Sequence, residues 1–111
     1  MIPIKISKKL RKINRRAYDP SRGIYEYYIA LDKIFRILSE IVSDTAHQYH
    51  KEAENILVSL LTHEWYEYIR YCAYCCLTRV AKSPIIIETL QSFRDDVSNA
   101  DIITKANRLK L

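Results

Sequence analysis

The sequence predicts an all-α protein, on three observations. The 111-residue chain contains a single glycine, Gly23, and no Asn-Gly or Asp-Gly step, so it has few of the positive-φ positions that hairpin turns between strands require. Apolar residues recur at spacings of three and four, which is the period of an amphipathic helix. The links between these stretches are very short, which favours antiparallel neighbouring helices. We therefore expect about five helices, arranged as antiparallel hairpins, plus a basic N-terminal arm.

The composition indicates a single globular domain in a reducing compartment. Hydrophobic residues make up 49% of the chain and charged residues 28%, which is the balance of a soluble globular protein. All three cysteines lie in one short segment, Cys72–Cys76, where they cannot form a disulfide framework. No uncharged stretch approaches the roughly 20 apolar residues of a membrane span, and the N-terminus lacks the apolar stretch of a secretory signal. A cytoplasmic location is expected.

The positive charge is concentrated at the N-terminus. The chain has 18 basic and 13 acidic residues, but the first 16 residues contain no acid. We therefore divide the chain into a basic arm, residues 1–18, and a slightly acidic helical domain, residues 19–111. The arm contains seven cations: Lys5, Lys8, Lys9, Arg11, Lys12, Arg15 and Arg16.

The arm allows several functions. Seven cations could neutralise phosphates and support salt-sensitive, sequence-independent binding of nucleic acid. Attachment to an anionic membrane, a targeting sequence and a solvated tail are the other interpretations, although the arm lacks the Trp or Phe that helps a helix to bind a membrane. The arm could also form an amphipathic helix that docks on the domain through its aliphatic residues, which are Ile2, Ile6, Leu10 and Ile13.

The rest of the chain divides into helical segments. Asp19-Pro20 and Gly23 predict a break after the arm, and helices are expected over about 24–43, 45–63 and 65–82. Ser83 followed by Pro84 predicts the start of a fourth helix, because serine caps a helix and proline is well tolerated at the first helical position. Its inward residues are expected to include Val97, and a final helix follows from about Ile102.

The third of these helices resembles the second helix of a HEAT repeat. An aliphatic residue and an arginine, Ile69-Arg70, are followed by Ala73, Leu77 and Val80 at the spacing of that repeat. The resemblance covers roughly residues 45–111 and gives one complete unit. It implies a small HEAT-like or armadillo-like array, the alternative being an irregular bundle, and repeats of this class bind macromolecules and usually catalyse nothing.

Two clusters could bind a metal ion. Cys72, Cys75 and Cys76 lie at i, i+3 and i+4, but a structural zinc site needs four ligands, and cysteine is also a common core residue. A second cluster could support a metal-dependent enzyme, although such residues on a mixed-charge helix face are ordinarily just solvated surface; it consists of His47, His50 and Glu54. No glycine-rich phosphate loop or catalytic motif accompanies them. We expect no metal, no cofactor and no enzymatic activity.

A tyrosine- and arginine-rich side of the third helix is the predicted binding site for a partner, the alternative being that its rings only cover neighbouring helix surface with their hydroxyls in water. These residue types supply large contact area with polar tips and are enriched in interfaces. The predicted function is a non-enzymatic protein-interaction module, either an adaptor or a neutralising partner. Nucleic-acid binding through the arm is the alternative, and self-association of the chain is also open. The predicted partner-binding residues are Tyr66, Glu67, Arg70, Tyr71 and Tyr74.

Overall fold

The computed structural model describes residues 3–18, 24–80 and 83–108. Within these ranges the chain forms helices and 3-10 turns but no strand, so the all-α prediction is confirmed there. The break predicted at 19–23 lies outside the described residues. The six α-helices are α1 (Pro3–Ala17), α2 (Tyr28–Ser43), α3 (His50–Ser59), α4 (Glu67–Val80), α5 (Pro84–Asp95) and α6 (Ala100–Arg108), with 3-10 turns at Ile24–Tyr27 and Val97–Asn99.

Helix α4 lies at the centre of the fold. It packs against α2, α3, α5 and α6, and its residues Ile69, Ala73 and Leu77 are fully buried. Buried residues of all six helices form one hydrophobic cluster. No helix in the described part of the chain has both the length and the apolar composition needed to cross a membrane. The HEAT-like stacking of helix pairs stays a prediction.

The start of α5 lies where the sequence predicted it. Ser83 Oγ accepts a hydrogen bond from the backbone N–H of Ile86 at 3.3 Å, and Pro84 occupies the first helical position.

The end of α5 differs from the prediction. The helix stops at Asp95, so Val97 lies in the following 3-10 turn and is exposed to solvent. The expectation that Val97 points into the core is therefore wrong.

Helix α3 corresponds to the helix predicted over about 45–63 and is shorter than that prediction. It begins at His50, because side chains before it bind backbone groups and hold the segment in turns. Asp44 Oδ1 accepts from the N–H of Ala46 at 3.0 Å, and His47 Nδ1 accepts from the N–H of Tyr49 at 3.0 Å. Ala46, predicted on the apolar side of this helix, is consequently exposed.

Helix α1 packs on the rest of the molecule. It contacts α3 and the 24–27 turn, and the described members of its predicted aliphatic side, Ile6, Leu10 and Ile13, are buried in the common core. Asn14 joins α1 to the segment between α3 and α4. Its Nδ2 donates to the carbonyl oxygen of Glu64 at 2.9 Å, and its Oδ1 accepts from the N–H of Tyr66 at 2.7 Å. The aliphatic side of the arm is therefore docked on the helical domain, as in the last of the alternatives given for the arm.

Candidate functional site

The exposed side of α1 is strongly cationic. Because Ile6, Leu10 and Ile13 are buried, the helical period turns the basic residues toward solvent. All seven are exposed, and none forms an ion pair with any residue that the structure describes. We call this surface the cationic face. It consists of Lys5, Lys8, Lys9, Arg11, Lys12, Arg15 and Arg16.

Two arginines of the cationic face contact aromatic residues of the helical domain. The guanidinium carbon of Arg11 lies 5.3 Å from the ring centroid of Trp65, which is within the range of a cation–π contact. Arg16 Nη1 donates to the hydroxyl of Tyr27 at 3.3 Å. Neither contact neutralises the positive charge. Both arginines are therefore oriented by neutral aromatic partners.

A shallow depression lies along one edge of the cationic face. Its volume is about 400 Å³, and its lining includes Lys8, Arg11, Asn14 and Arg15. Both polar atoms of the neutral Asn14 amide are engaged with the backbone of residues 64 and 66. Among the described lining residues, the charges are therefore those of the three basic residues. Such a site favours an anion over a cation or an apolar molecule.

The predicted partner-binding side of α4 is only partly exposed. Tyr74 is 2% exposed, so the expectation that it lies on a free side of the helix is wrong. Its ring stacks on Phe93 with centroids 5.0 Å apart, and its hydroxyl accepts from Arg94 Nε at 2.9 Å. The packing of α5 against α4 covers this position, and a single-helix pattern does not reveal such a neighbour.

The other four residues of this side contact parts of the protein but keep some exposure. Tyr66 packs edge-to-face on Tyr18, and Arg70 Nη1 donates to the carbonyl oxygen of Trp65 at 2.8 Å. Glu67 is exposed and pairs with Lys105 of α6 at 3.7 Å. Tyr71 stacks on Tyr68, and burial raises the pKa of its hydroxyl to about 12. The remaining surface is therefore Tyr66, Glu67, Arg70 and Tyr71.

The three cysteines line a cleft of about 440 Å³ together with Tyr68 and Tyr71. Cys76 is buried, and Cys72 and Cys75 are half-buried. Burial raises the pKa of the Cys72 thiol to about 12 and raises the pKa of Cys76 as well. These raised pKa values disfavour the thiolate, which is the form of cysteine that acts as a nucleophile or binds a metal ion.

The predicted histidine cluster is separated in the structure. His50 Nε2 lies 3.4 Å from Glu54 Oε2, whereas the ring of His47 bonds to the backbone N–H of Tyr49. Among the described residues no three His, Cys, Asp or Glu side chains are grouped in a way that could bind a metal ion. The pair that remains is an ordinary i, i+4 contact on α3.

The structure also brings together His63, Asp96 and Ser98, a set that the sequence did not predict. Ser98 Oγ donates to Asp96 Oδ1 at 2.7 Å, and His63 Nε2 lies 3.0 Å from Ser98 Oγ and 3.3 Å from Asp96 Oδ2. A catalytic triad uses both ring nitrogens of its histidine, one for serine and the other for the carboxylate. Here one nitrogen meets both partners, and serine donates directly to the acid.

This trio acts as a cap for the 3-10 turn at Val97–Asn99. Asp96 Oδ1 also accepts from the N–H of Ser98 at 3.0 Å. The hydroxyl and N–H of Ser98, followed by His63, hold the pKa of Asp96 below its usual range. The Asp-Val-Ser tripeptide is a typical local signal for such a turn, but His63 lies far away in the sequence and gives no local signal.

No protein-family model, no curated protein and no solved structure matches this chain.

Proposed function

We propose that this protein binds nucleic acid through the cationic face of α1. The observation that carries the proposal is the combination of seven exposed cations on one side of a helix with the burial of its aliphatic side in the core. The helix is 15 residues long, or roughly 22 Å, which is enough to follow several phosphates. The remaining chain is slightly acidic overall, so the net positive charge of the protein comes from this face.

The docking of α1 favours nucleic acid over a membrane. An interfacial helix binds a bilayer by inserting its apolar side among the lipid chains. Here Ile6, Leu10 and Ile13 are already buried, so insertion would require α1 to leave the core. Of the large apolar residues in α1, Ile4 alone is exposed among those described. Phosphates, in contrast, can bind the exposed cations while the aliphatic side of α1 stays buried. We also propose that the protein is cytoplasmic, as its sequence composition leads us to expect.

Neutralising part of the cationic face should weaken binding and flatten its salt dependence. The triple variant Lys8→Gln, Lys12→Gln and Arg15→Gln removes three phosphate contacts, so we expect the slope of log affinity against log salt to fall by roughly two to three. Affinity should drop at least about tenfold at low salt, on the same counterion-release reasoning. Titration of labelled DNA and RNA by fluorescence anisotropy at several salt concentrations measures both quantities.

The matched control carries the same change of net charge elsewhere. Lys33, Arg79 and Arg108 are exposed residues on α2, α4 and α6, and their triple replacement by glutamine should leave affinity and slope nearly unchanged. Equal losses in the two triple variants would mean that only the net charge matters. Absence of binding by the unmodified protein would refute the proposal directly.

A second proposal is a non-enzymatic protein-interaction module that uses Tyr66, Glu67, Arg70 and Tyr71. The half-buried rings of Tyr66 and Tyr71 beside an exposed carboxylate support it, because interfaces favour aromatic area with polar tips. The resemblance to HEAT repeats supports it too, since stacked helix pairs bind macromolecules.

Changing this side of α4 should release a specific partner. The double variant Glu67→Lys and Tyr71→Ser reverses the exposed charge and removes one ring, so we expect a co-purified partner to be lost. The control Glu88→Lys makes the same charge reversal on α5, where the residue is exposed, and should retain that partner. Quantitative pull-down followed by mass spectrometry checks the result. Retention of the partner by both variants would reject this surface.

A further inference from the structure

The cationic face continues into an exposed aromatic ring. Lys8, Arg11 and Arg15 of the shallow depression are spaced i, i+3 and i+7 on α1, and Tyr18 comes three residues after the last of them. Tyr18 directly follows the last residue of the helix and is 58% exposed. A large ring with this much exposure is available for contact with a ligand at the end of a row of cations.

The position of Tyr18 is supported by a second tyrosine. Its ring makes an edge-to-face contact with Tyr66, with centroids 5.3 Å apart and planes at 69°. An edge-to-face pair uses the edge of one ring and one face of the other, so each ring keeps at least one face outside the pair. Tyr66 is itself held by the bond from its N–H to Asn14 Oδ1 of α1. The two rings and α1 therefore belong to one ordered unit.

We infer that the preferred ligand of this surface is single-stranded nucleic acid, with phosphates on Lys8, Arg11 and Arg15 and a base stacked on Tyr18. This inference rests on the proposed nucleic-acid function and specifies its ligand. Proteins that bind single strands without sequence preference combine a cationic track with aromatic rings on which bases stack. In a duplex the bases already stack on one another, so Tyr18 gains nothing from a double-stranded ligand. The cations attract phosphates of either form, and stacking on Tyr18 adds binding free energy for the single strand alone.

Replacing Tyr18 separates stacking from charge. Tyr18→Ala should weaken binding of a labelled oligothymidine roughly 5- to 150-fold, the range for loss of one stacked base. The affinity for a duplex of the same length should stay the same, and so should the salt slope for the single strand, because no cation is removed. Tyr18→Phe keeps the ring and should bind oligothymidine nearly as well as the unmodified protein. Circular dichroism confirms that each variant is folded.

A crosslinking experiment tests the same contact without a mutation. An oligonucleotide carrying 5-iodouracil, irradiated with the full-length protein, should form an adduct that mass spectrometry maps to Tyr18 or Tyr66. Adducts confined to other residues would overturn the inference, and so would equal losses of single-strand and duplex affinity in Tyr18→Ala.

These experiments also distinguish failure of the stacking inference from failure of the proposed function. If the unmodified protein binds both forms of DNA through the cationic face and Tyr18→Ala changes neither affinity, the stacking inference fails while the proposed function stands. If the unmodified protein binds neither form, the proposed function fails and the stacking inference fails with it.

Discussion

Replacing Leu10 by alanine is expected to lower the free energy of unfolding by about 2–5 kcal/mol, the usual range for emptying a fully buried leucine site. Leu10 is 0% exposed and lies between Ile6 and Ile13, which are also buried. The loss combines the transfer free energy of the removed carbons with the cavity that remains. Urea or thermal unfolding followed by circular dichroism measures it.

The neighbouring residue provides a control for this variant. Lys9 is exposed on the same turn of α1, and Lys9→Ala should change the free energy of unfolding by less than about 0.5 kcal/mol. The comparison distinguishes a docked helix from a separable tail. In a tail, both substitutions would leave stability unchanged, and that outcome would contradict the packing of α1 described above.

Replacing Tyr74 by alanine is expected to have a comparable effect, about 3–5 kcal/mol, as for other large aromatic residues in a core. Its ring is buried against Phe93, and removing it leaves a cavity between α4 and α5. Tyr74→Phe keeps the stacked ring and loses only the hydrogen bond from Arg94, so its cost should be about 0.5–1.5 kcal/mol. Chemical denaturation of both variants gives the two values.

The Tyr74 variants also decide between two roles for this residue. A core residue loses stability on truncation, whereas a contact residue loses a partner and keeps its stability. If Tyr74→Ala unfolds at the same denaturant concentration as the unmodified protein and still loses a specific partner, the ring belongs to the interface after all.

Capping signals predicted the start of α5, where one stretch of chain contains all the interacting groups. The start of α5 depends on Ser83, Pro84 and the N–H of Ile86, which are separated by three residues at most. The same reasoning failed at α3, because the side chains of Asp44 and His47 compete for backbone groups that a helix would use. Apolar spacing alone contains no information on that competition.

The candidate site was predicted less well than the fold. The seven cations of α1 could be identified directly, since charge is a property of composition and α1 has one long apolar side. The prediction of the exposed residues of α4 was less accurate, because α2, α3, α5 and α6 pack around this helix and leave little of it exposed. Tyrosine adds to the difficulty, since its ring suits a core and its hydroxyl suits the surface.

The sequence by itself therefore determined the helical composition and the concentration of positive charge in the first 16 residues. Both follow from local spacing and from charge. Only the tertiary structure decided that α1 is docked, that its cations face solvent, and that Tyr18 meets Tyr66 at the end of the cationic face. The bonds of Asn14 join residues 50 and 52 positions apart, and such contacts depend on how whole helices pack. Helical periodicity indicates which residues share a side of a helix, but it does not indicate which other helix covers that side.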